Sequence, residues 1–208
     1  ALSAVGLVVG GVGVVAIIML GKTVAALANA GLKAEEVDWV ETHGTATPLG
    51  DPIEVQSLEA VYCGHRSAEN PLIISSVKTN IGHLESAAGV SSIMKAALSL
   101  QHGVIPKHLH FNKFNPHIAV DQTKFFIPTE KMDWKGGEKR RRVGISSFGF
   151  SGTNVHMILE EAPVRKEVIN ATERNSHVLT FSAKSEASLN GLAKRYAEFL
   201  ESDLLNSK

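Results

Sequence analysis

Two histidines stand in settings suited to chemistry. His43 lies in Glu41-Thr42-His43-Gly44-Thr45-Ala46-Thr47, and His83 in Val77-Lys78-Thr79-Asn80-Ile81-Gly82-His83-Leu84-Glu85. Each follows an apolar run that reads as a strand and precedes a run that reads as a helix. Each therefore sits at the C-terminal end of a strand, where α/β folds place their sites. The small residues around them let a ligand approach the backbone closely. A neutral imidazole offers one N–H donor and titrates near physiological pH. Lys78 can tune such a site with its charge, and Glu85 can fix the tautomer or orientation of a nearby basic group. Read locally, the same residues equally describe two strand-to-helix turns that happen to contain histidine.

A third segment, Ser146-Ser147-Phe148-Gly149-Phe150-Ser151-Gly152-Thr153-Asn154, carries glycines that free backbone N–H groups to meet a ligand oxygen; its alternative is a plain hairpin turn. It is not a phosphate loop, because no Lys-Ser/Thr pair follows the glycines. The chain has 9 histidines. His102, His108, His110 and His117 fall close together, so a metal cluster is one reading of them, but no carboxylate or thiolate pattern supports it. The one cysteine, Cys63, follows a helix and reads as a structural thiol. It permits no disulfide within the chain, which fits a reducing cytoplasm.

The elements that must hold these residues alternate between helix and strand. Residues 24–30 read as a short helix stopped by Gly31, and 37–41 as a strand. Asp51, Pro52 and Glu54 form a helix start, with Asp51 as N-cap and Glu54 three residues on, and that helix runs to about Tyr62. Residues 72–76 read as a strand, 85–102 as a long helix ended by Gly103, 106–116 as loop and 125–127 as a short strand. The apolar runs 143–148 and 155–159 read as a hairpin across the Gly-rich turn. After Glu161 the composition turns polar, so 162–176 reads as a linker. Residues 177–183 then read as a strand, and Ser185 caps an amphipathic helix bearing Leu189, Leu192, Ala193, Tyr196, Phe199 and Leu200.

The first 21 residues are uncharged. Gly6, Gly10, Gly11 and Gly13 among valines make a poor soluble helix, so this stretch is expected to form buried strands with a Gly-rich bend. A membrane segment is the competing reading on length, and a signal peptide is disfavoured by the lack of a charged leader or a cleavage site. The chain begins at Ala1, not Met, which is consistent with a piece of a longer protein.

Composition narrows the function classes. With 208 residues and 44% hydrophobic content the chain can bury a core, and 21 basic against 21 acidic residues leave no excess for a general nucleic-acid binder. The run Lys139-Arg140-Arg141-Arg142 reads as a solvated loop or as a patch for an acidic partner.

In this order and spacing, the segments resemble the C-terminal half of a β-ketoacyl synthase domain of a modular type I polyketide synthase. His43-Gly44-Thr45-Ala46-Thr47 with Gly50-Asp51-Pro52-Ile53-Glu54 is similar to the first histidine motif of that family. Lys78 to Gly89 is similar to the second, and Gly149-Phe150-Ser151-Gly152-Thr153-Asn154 to the terminal Gly-rich loop. The likeness covers residues 35–162; residues 163–208 resemble the linker that follows such a domain. It implies an α/β, thiolase-like layered α-β-α fold over residues 1–162, followed by the start of a small α/β linker domain over residues 163–208. It also implies decarboxylative condensation of acyl and malonyl-type thioesters. His43 and His83 would then stabilise the enolate, Lys78 would tune the pocket and Glu85 would hold the network. Thr45 and Thr47 would bind the pantetheine arm, and Phe150 would gate the acyl pocket within the loop of Gly149 and Asn154. The implied partners are an acyl carrier protein, whose phosphopantetheine arm carries the substrate, and either a ketosynthase homodimer or a complementing N-terminal half. No cofactor is expected to be bound covalently, and no nucleic acid or membrane is expected as partner. The family's nucleophile, a cysteine in a Thr-Ala-Cys-Ser-like elbow, has no counterpart here, so this chain by itself is expected not to condense anything. A non-catalytic scaffold that docks carrier protein or a partner ketosynthase is the alternative, and a protein anchored through residues 1–21 is a third.

Overall fold

A computed structural model describes residues 11–137, 139–149, 152–163 and 178–201, with residues 11–16 as backbone only. The chain divides into two compact units, Ala1–Pro163 and Val164–Lys208. The first holds β1 (Trp39–Glu41), β2 (Leu72–Ser75), β4 (Phe125–Phe126), β6 (Arg142–Phe148) and β7 (Asn154–Glu160) in one five-stranded sheet, ordered β4-β2-β1-β6-β7. The pairs β4–β2, β2–β1 and β1–β6 are parallel, and β6–β7 is an antiparallel hairpin. Val104–Ile105 (β3) and Met132–Asp133 (β5) form a separate antiparallel pair.

Alternation along the strands sends side chains to two cores. On one face Val40, Leu72, Ile74 and Phe125 meet Leu27 of α1 (Gly11–Ala30) and Val55, Leu58 and Tyr62 of α2 (Gly50–Tyr62). On the other, Trp39, Val143 and Ile145 meet Ala96 and Leu100 of α4 (Ala88–His102), with Trp39 and Trp134 packed edge to face at 5.7 Å. The parallel strands are covered on both faces, as such strands must be. This is the layered α/β arrangement expected from the resemblance.

Several local expectations are corrected. The sequence predicts buried strand at the start of the chain, but residues 11–20 belong to α1; residues 1–10 lie outside the described residues. Gly and Val disfavour a helix intrinsically, yet packing of an apolar face outweighs propensity. Met19, Thr23 and Leu27, four residues apart, are buried where α1 lies on α2 and β7. Among the described residues no helix is long and apolar enough to cross a membrane. The start of α2 differs too. Leu49 occupies the N-cap position, Asp51 lies in the first turn and accepts from Ala46 N–H at 3.0 Å, and Glu54 turns inward instead of closing a capping box. The helix expected from Glu85 begins at Ala88. Ahead of it come α3 (Lys78–Ile81) and a 3-10 turn over Glu85–Ala87, because Glu85 takes a left-handed φ of +48° that no α-helix accepts. Gly103, at φ +64°, ends α4 as expected.

The basic run is paired along its whole length and is not a free loop. Lys139 pairs with Asp38, Arg140 with Glu160, Arg141 with Glu161, and Arg142 with Glu36 and Glu160. The run's charge is met at home, which removes the ground for reading it as a docking patch.

In the second unit, α5 (Glu186–Glu201) begins where Ser185 Oγ accepts from Ser188 N–H at 3.3 Å, and Phe181 packs on Tyr196 at 5.0 Å. Residues 178–183 form no strand, contrary to the expectation for 177–183, and His177 itself lies outside the described residues. No strand partner for them occurs among the described residues of this unit, and an unpaired segment cannot satisfy a ladder.

Candidate active site

Parallel alignment explains why distant segments meet. β2, β1 and β6 are adjacent and run the same way, so their C-terminal ends emerge at one edge of the sheet. His43 stands two residues beyond β1, Lys78 and His83 follow β2, and Phe148 ends β6. The imidazoles of His43 and His83 meet edge to face with centroids 5.4 Å apart, and the Phe148 ring lies 5.3 Å from that of His43.

Hydrogen bonds set the tautomers. His43 Nδ1 accepts from Phe148 N–H at 3.4 Å, and His83 Nδ1 accepts from Glu85 N–H at 2.9 Å. A nitrogen that accepts carries no proton, so in each neutral ring the proton sits on Nε2. Each ring thus offers Nε2–H as a donor. Burial holds His43 well below the ordinary histidine range, at about 4, with the Lys78 and His83 charges adding to it. His43 is therefore neutral at pH 7. Burial also lowers Lys78, against the pull of Glu54 and Glu41.

The turn carrying His43 is clamped from below. Glu54, buried on α2, accepts His43 N–H at 2.8 Å with one oxygen and Gly44 N–H at 2.9 Å with the other. Burial pushes its carboxyl up to about 7, a rise that the two amide bonds limit. Gly44 has a φ of +47°, and a Cβ there would lie 2.8 Å from Ser76 Cβ, so only glycine fits the turn.

A cleft of about 670 Å³ opens at this edge, lined by Thr45, Asp51, Lys78, Thr79, His83 and His108 among others. His43 itself is not part of the lining, but it packs against His83 and lies between the lining residues Thr42 and Gly44 in the chain. Thr45 faces the cleft, while Thr47 engages its hydroxyl with Gly50 N–H at 3.0 Å. Glu85 acts through its backbone N–H; its carboxylate is exposed, without a partner among the described residues, so the side-chain role expected for it has no contact behind it. In the Gly-rich loop, Gly149 N–H donates to Thr153 O at 2.7 Å and Asn154 pairs with Phe148, while Phe150 lies outside the described residues. Cys63 is buried, and burial pushes its thiol up to about 11, which leaves it without nucleophilic character at neutral pH. No cluster of His, Cys, Asp or Glu able to hold a metal ion occurs among the described residues.

Sequence reasoning misses four contributors. Phe148 acts through a main-chain N–H, which side-chain type does not signal. Glu54 leaves one trace, a charged residue on an otherwise apolar helix face, and that trace reads as a cap. Glu41 closes an apolar strand and is fully buried beside Lys95, at 2.7 Å. His108 Nδ1 accepts from Ser76 N–H at 3.2 Å, and burial holds the ring at about 4.

Comparison with known proteins gives consistent results. Residues 21–112 match the family described as β-ketoacyl synthase, C-terminal domain, and residues 115–206 match the ketoacyl-synthetase C-terminal extension. The chain is 46% identical over 182 residues to erythronolide synthase EryA3 of Saccharopolyspora erythraea, covering 88% of this chain and 6% of that protein. It is 45% identical over 175 residues to erythronolide synthase EryA2 of the same organism, covering 84% of this chain and 5% of that one. Among solved structures, the oxazolomycin ketosynthase domain of Streptomyces albus superposes with a TM-score of 0.66 at 31% identity, covering 99% of this chain and 35% of that chain. Ketosynthase twelve of the bacillaene synthase of Bacillus amyloliquefaciens gives 0.66 at 32% identity, with 78% and 28% covered. The chain thus spans a small fraction of the curated proteins it matches and about a third of the solved ketosynthase chains.

Proposed function

The chain belongs to the β-ketoacyl synthase family, as a C-terminal ketosynthase region of the polyketide synthase type, and from that premise we propose that it supplies the decarboxylation half of a condensing site. One observation carries this reading: two imidazoles 5.4 Å apart, each with Nδ1 tied to a backbone amide and Nε2–H left as a donor.

The chemistry follows from that pair. When a malonyl-type thioester loses carbon dioxide, the electron pair of the broken C–C bond moves into an enolate, and negative charge gathers on the thioester oxygen. Two preorganised N–H donors aimed at that oxygen favour the charged state over the neutral thioester. A neutral His43 suits this role because its donor strength does not depend on an external proton. Lys78 adds positive potential beside the pair. Thr45 in the cleft wall is placed to hydrogen-bond the phosphopantetheine arm of an acyl carrier protein, which brings the substrate; Thr47, which is not part of the cleft lining and holds Gly50 N–H, is the weaker candidate.

The acyl-bearing cysteine must come from elsewhere. Cys63 is unsuited, and no elbow motif stands in the chain. An exposed apolar face supports the need for a second part. Val90, Met94 and Leu98 of α4, with Ile81 and Leu84, are open to solvent beside an apolar groove of about 570 Å³. A complementing nucleophile-bearing ketosynthase half is the occupant this reading assigns, with a ketosynthase homodimer as the larger assembly. By itself the chain then binds without turnover, in the cytoplasm where carrier-protein thioesters are used. The same exposed face is the ground for the second reading, a docking fragment without catalysis.

The test is carbon dioxide release from malonyl-loaded carrier protein, with the chain alone and with the complementing half. The complemented system should turn over. His43→Ala and His83→Ala should each lower the rate about 10²–10³-fold, the usual cost of one oxyanion donor. Full activity in both variants would refute the assignment, and binding without any turnover in the complemented system would favour the docking reading.

A further inference from the structure

We propose that Glu41 is the positioning residue that sets the spacing of the two imidazoles, with Lys95 as its counter-charge; its catalytic importance rests on the reading above, while the geometry it imposes is measurable without turnover.

Glu41 ends β1, two residues before His43, and is fully buried. One carboxylate oxygen accepts from Lys95 Nζ at 2.7 Å and from Ser75 Oγ at 3.2 Å, and the other accepts the N–H of Val77. Val77 follows β2 and opens the turn that carries Lys78 and leads to His83. The main-chain pairing of β1 with β2 ends where Thr42 N–H donates to Ser75 O at 2.7 Å. Beyond that point Val77 N–H has no strand to bond. A side chain from one histidine's strand therefore holds the backbone of the other histidine's loop.

The surroundings complete the device. Ser75 Oγ also accepts from Trp39 Nε1 at 3.0 Å and from Lys95 Nζ at 2.9 Å, and the Lys95 ammonium lies 5.2 Å from the centre of the Trp39 ring. Each polar atom of the cluster has a partner, the condition under which a buried ion pair is tolerated. As core filling, two apolar residues would serve as well or better. What apolar residues cannot do is accept Val77 N–H. The Glu54 clamp fixes the His43 turn from α2, but it does not touch the β2 loop. Ser76 Oγ reaches His43 O only at 3.5 Å, so Glu41 is the buried, charged side chain that couples the two loops, and Lys95 offsets the cost of burying it.

Two double variants of the full chain separate position from charge and from stability. Both E41Q/K95M and E41L/K95M remove the ion pair without stranding a buried charge. Glutamine keeps a carbonyl oxygen for Val77 N–H, and leucine does not. Tryptophan fluorescence reports folding, hydrogen exchange reports the Val77 amide, and the nuclear Overhauser effect between the His43 and His83 rings reports their contact. E41Q/K95M should keep the ring contact and the protection of Val77. E41L/K95M should fold, exchange Val77 at least about tenfold faster, as loss of a charge-assisted bond implies, and lose the ring contact. Persistence of both signals in E41L/K95M overturns the proposal, whatever the activity. So does loss of the ring contact in E41Q/K95M. If E41L/K95M does not fold, the unmodified chain decides. Val77 must then exchange as slowly as Ile74 in β2, and exchange as fast as exposed Gly64, whose N–H meets no backbone acceptor among the described residues, overturns the proposal. A lost ring contact with undiminished carbon dioxide release in the complemented system supports the positioning role and refutes the functional reading instead.

Discussion

Acid should weaken this fold at its buried neutral histidines, and His156 is where the size of the effect can be worked out. Its ring lies between strands and α2, 8% exposed, with Nε2 2.8 Å from Tyr62 OH and Nδ1 3.0 Å from Ser146 Oγ. Burial holds it at about 4, below its ordinary 6.5. The unfolded chain therefore takes up a proton near pH 6.5 that the folded chain refuses until about pH 4. Stability from this residue is fully present above pH 6.5 and is lost as the pH falls toward 4. Each such proton is worth about 1.4 kcal/mol per pH unit. The loss reaches about 2 kcal/mol at pH 5 and about 3 kcal/mol near pH 4, a large part of an ordinary domain's stability of roughly 5–15 kcal/mol. His43 and His108 act in the same sense, reduced by their partial exposure to solvent. Glu54, pushed up to about 7, acts in the opposite sense, because the folded state takes its proton first as the pH falls below 7. Burial raises Glu41 and Asp51 as well, so the pH profile of the whole chain is a balance. A difference between parent and variant isolates the His156 contribution. His156→Gln keeps a donor and an acceptor but cannot titrate. Urea unfolding followed by fluorescence of Trp39 and Trp134, both in the first unit's core, should find the variant less stable at pH 7. The gap to the parent should close by about 2 kcal/mol by pH 5. A gap that stays constant or widens over that range would refute the reasoning.

Three further outcomes follow from named contacts. Gly44→Ala places a side chain at φ +47° and 2.8 Å from Ser76 Cβ, so it should cost about 2–4 kcal/mol in chemical denaturation and weaken the protection of the His43 amide. Cys63, buried and pushed up to about 11, should be silent to a thiol reagent at pH 7.5 and react at once in denaturant; rapid labelling of the native chain would contradict its burial. Arg140→Ala removes a pair whose arginine is about half exposed, so its cost should stay under about 1 kcal/mol and shrink further in salt; a larger loss would mean that the ion-pair row on β6 and β7 acts as a network.

The order of the site is legible in the residues, and its closure is not. Strand ends, small turn residues and helix starts depend on neighbours a few positions away, so a local window of sequence contains them. His43 and His83 can accordingly be placed at the ends of two strands, and the β6–β7 hairpin and the Gly103 stop can be read from alternation and glycine. The reading fails where tertiary packing outweighs propensity: α1 is helical despite its glycines and valines because Met19 and Leu27 are buried against α2 and β7. It fails again where a side chain's partner lies far along the chain. Glu54 resembles a cap until the His43 turn lies above it, and Glu41 resembles the end of a strand until Val77 and Lys95 close on it. The adjacency of β2, β1 and β6, which brings residues 43, 83 and 148 to one edge, is a property of strand order. Strand order is decided by the burial of both sheet faces together, and no short stretch of residues contains that information.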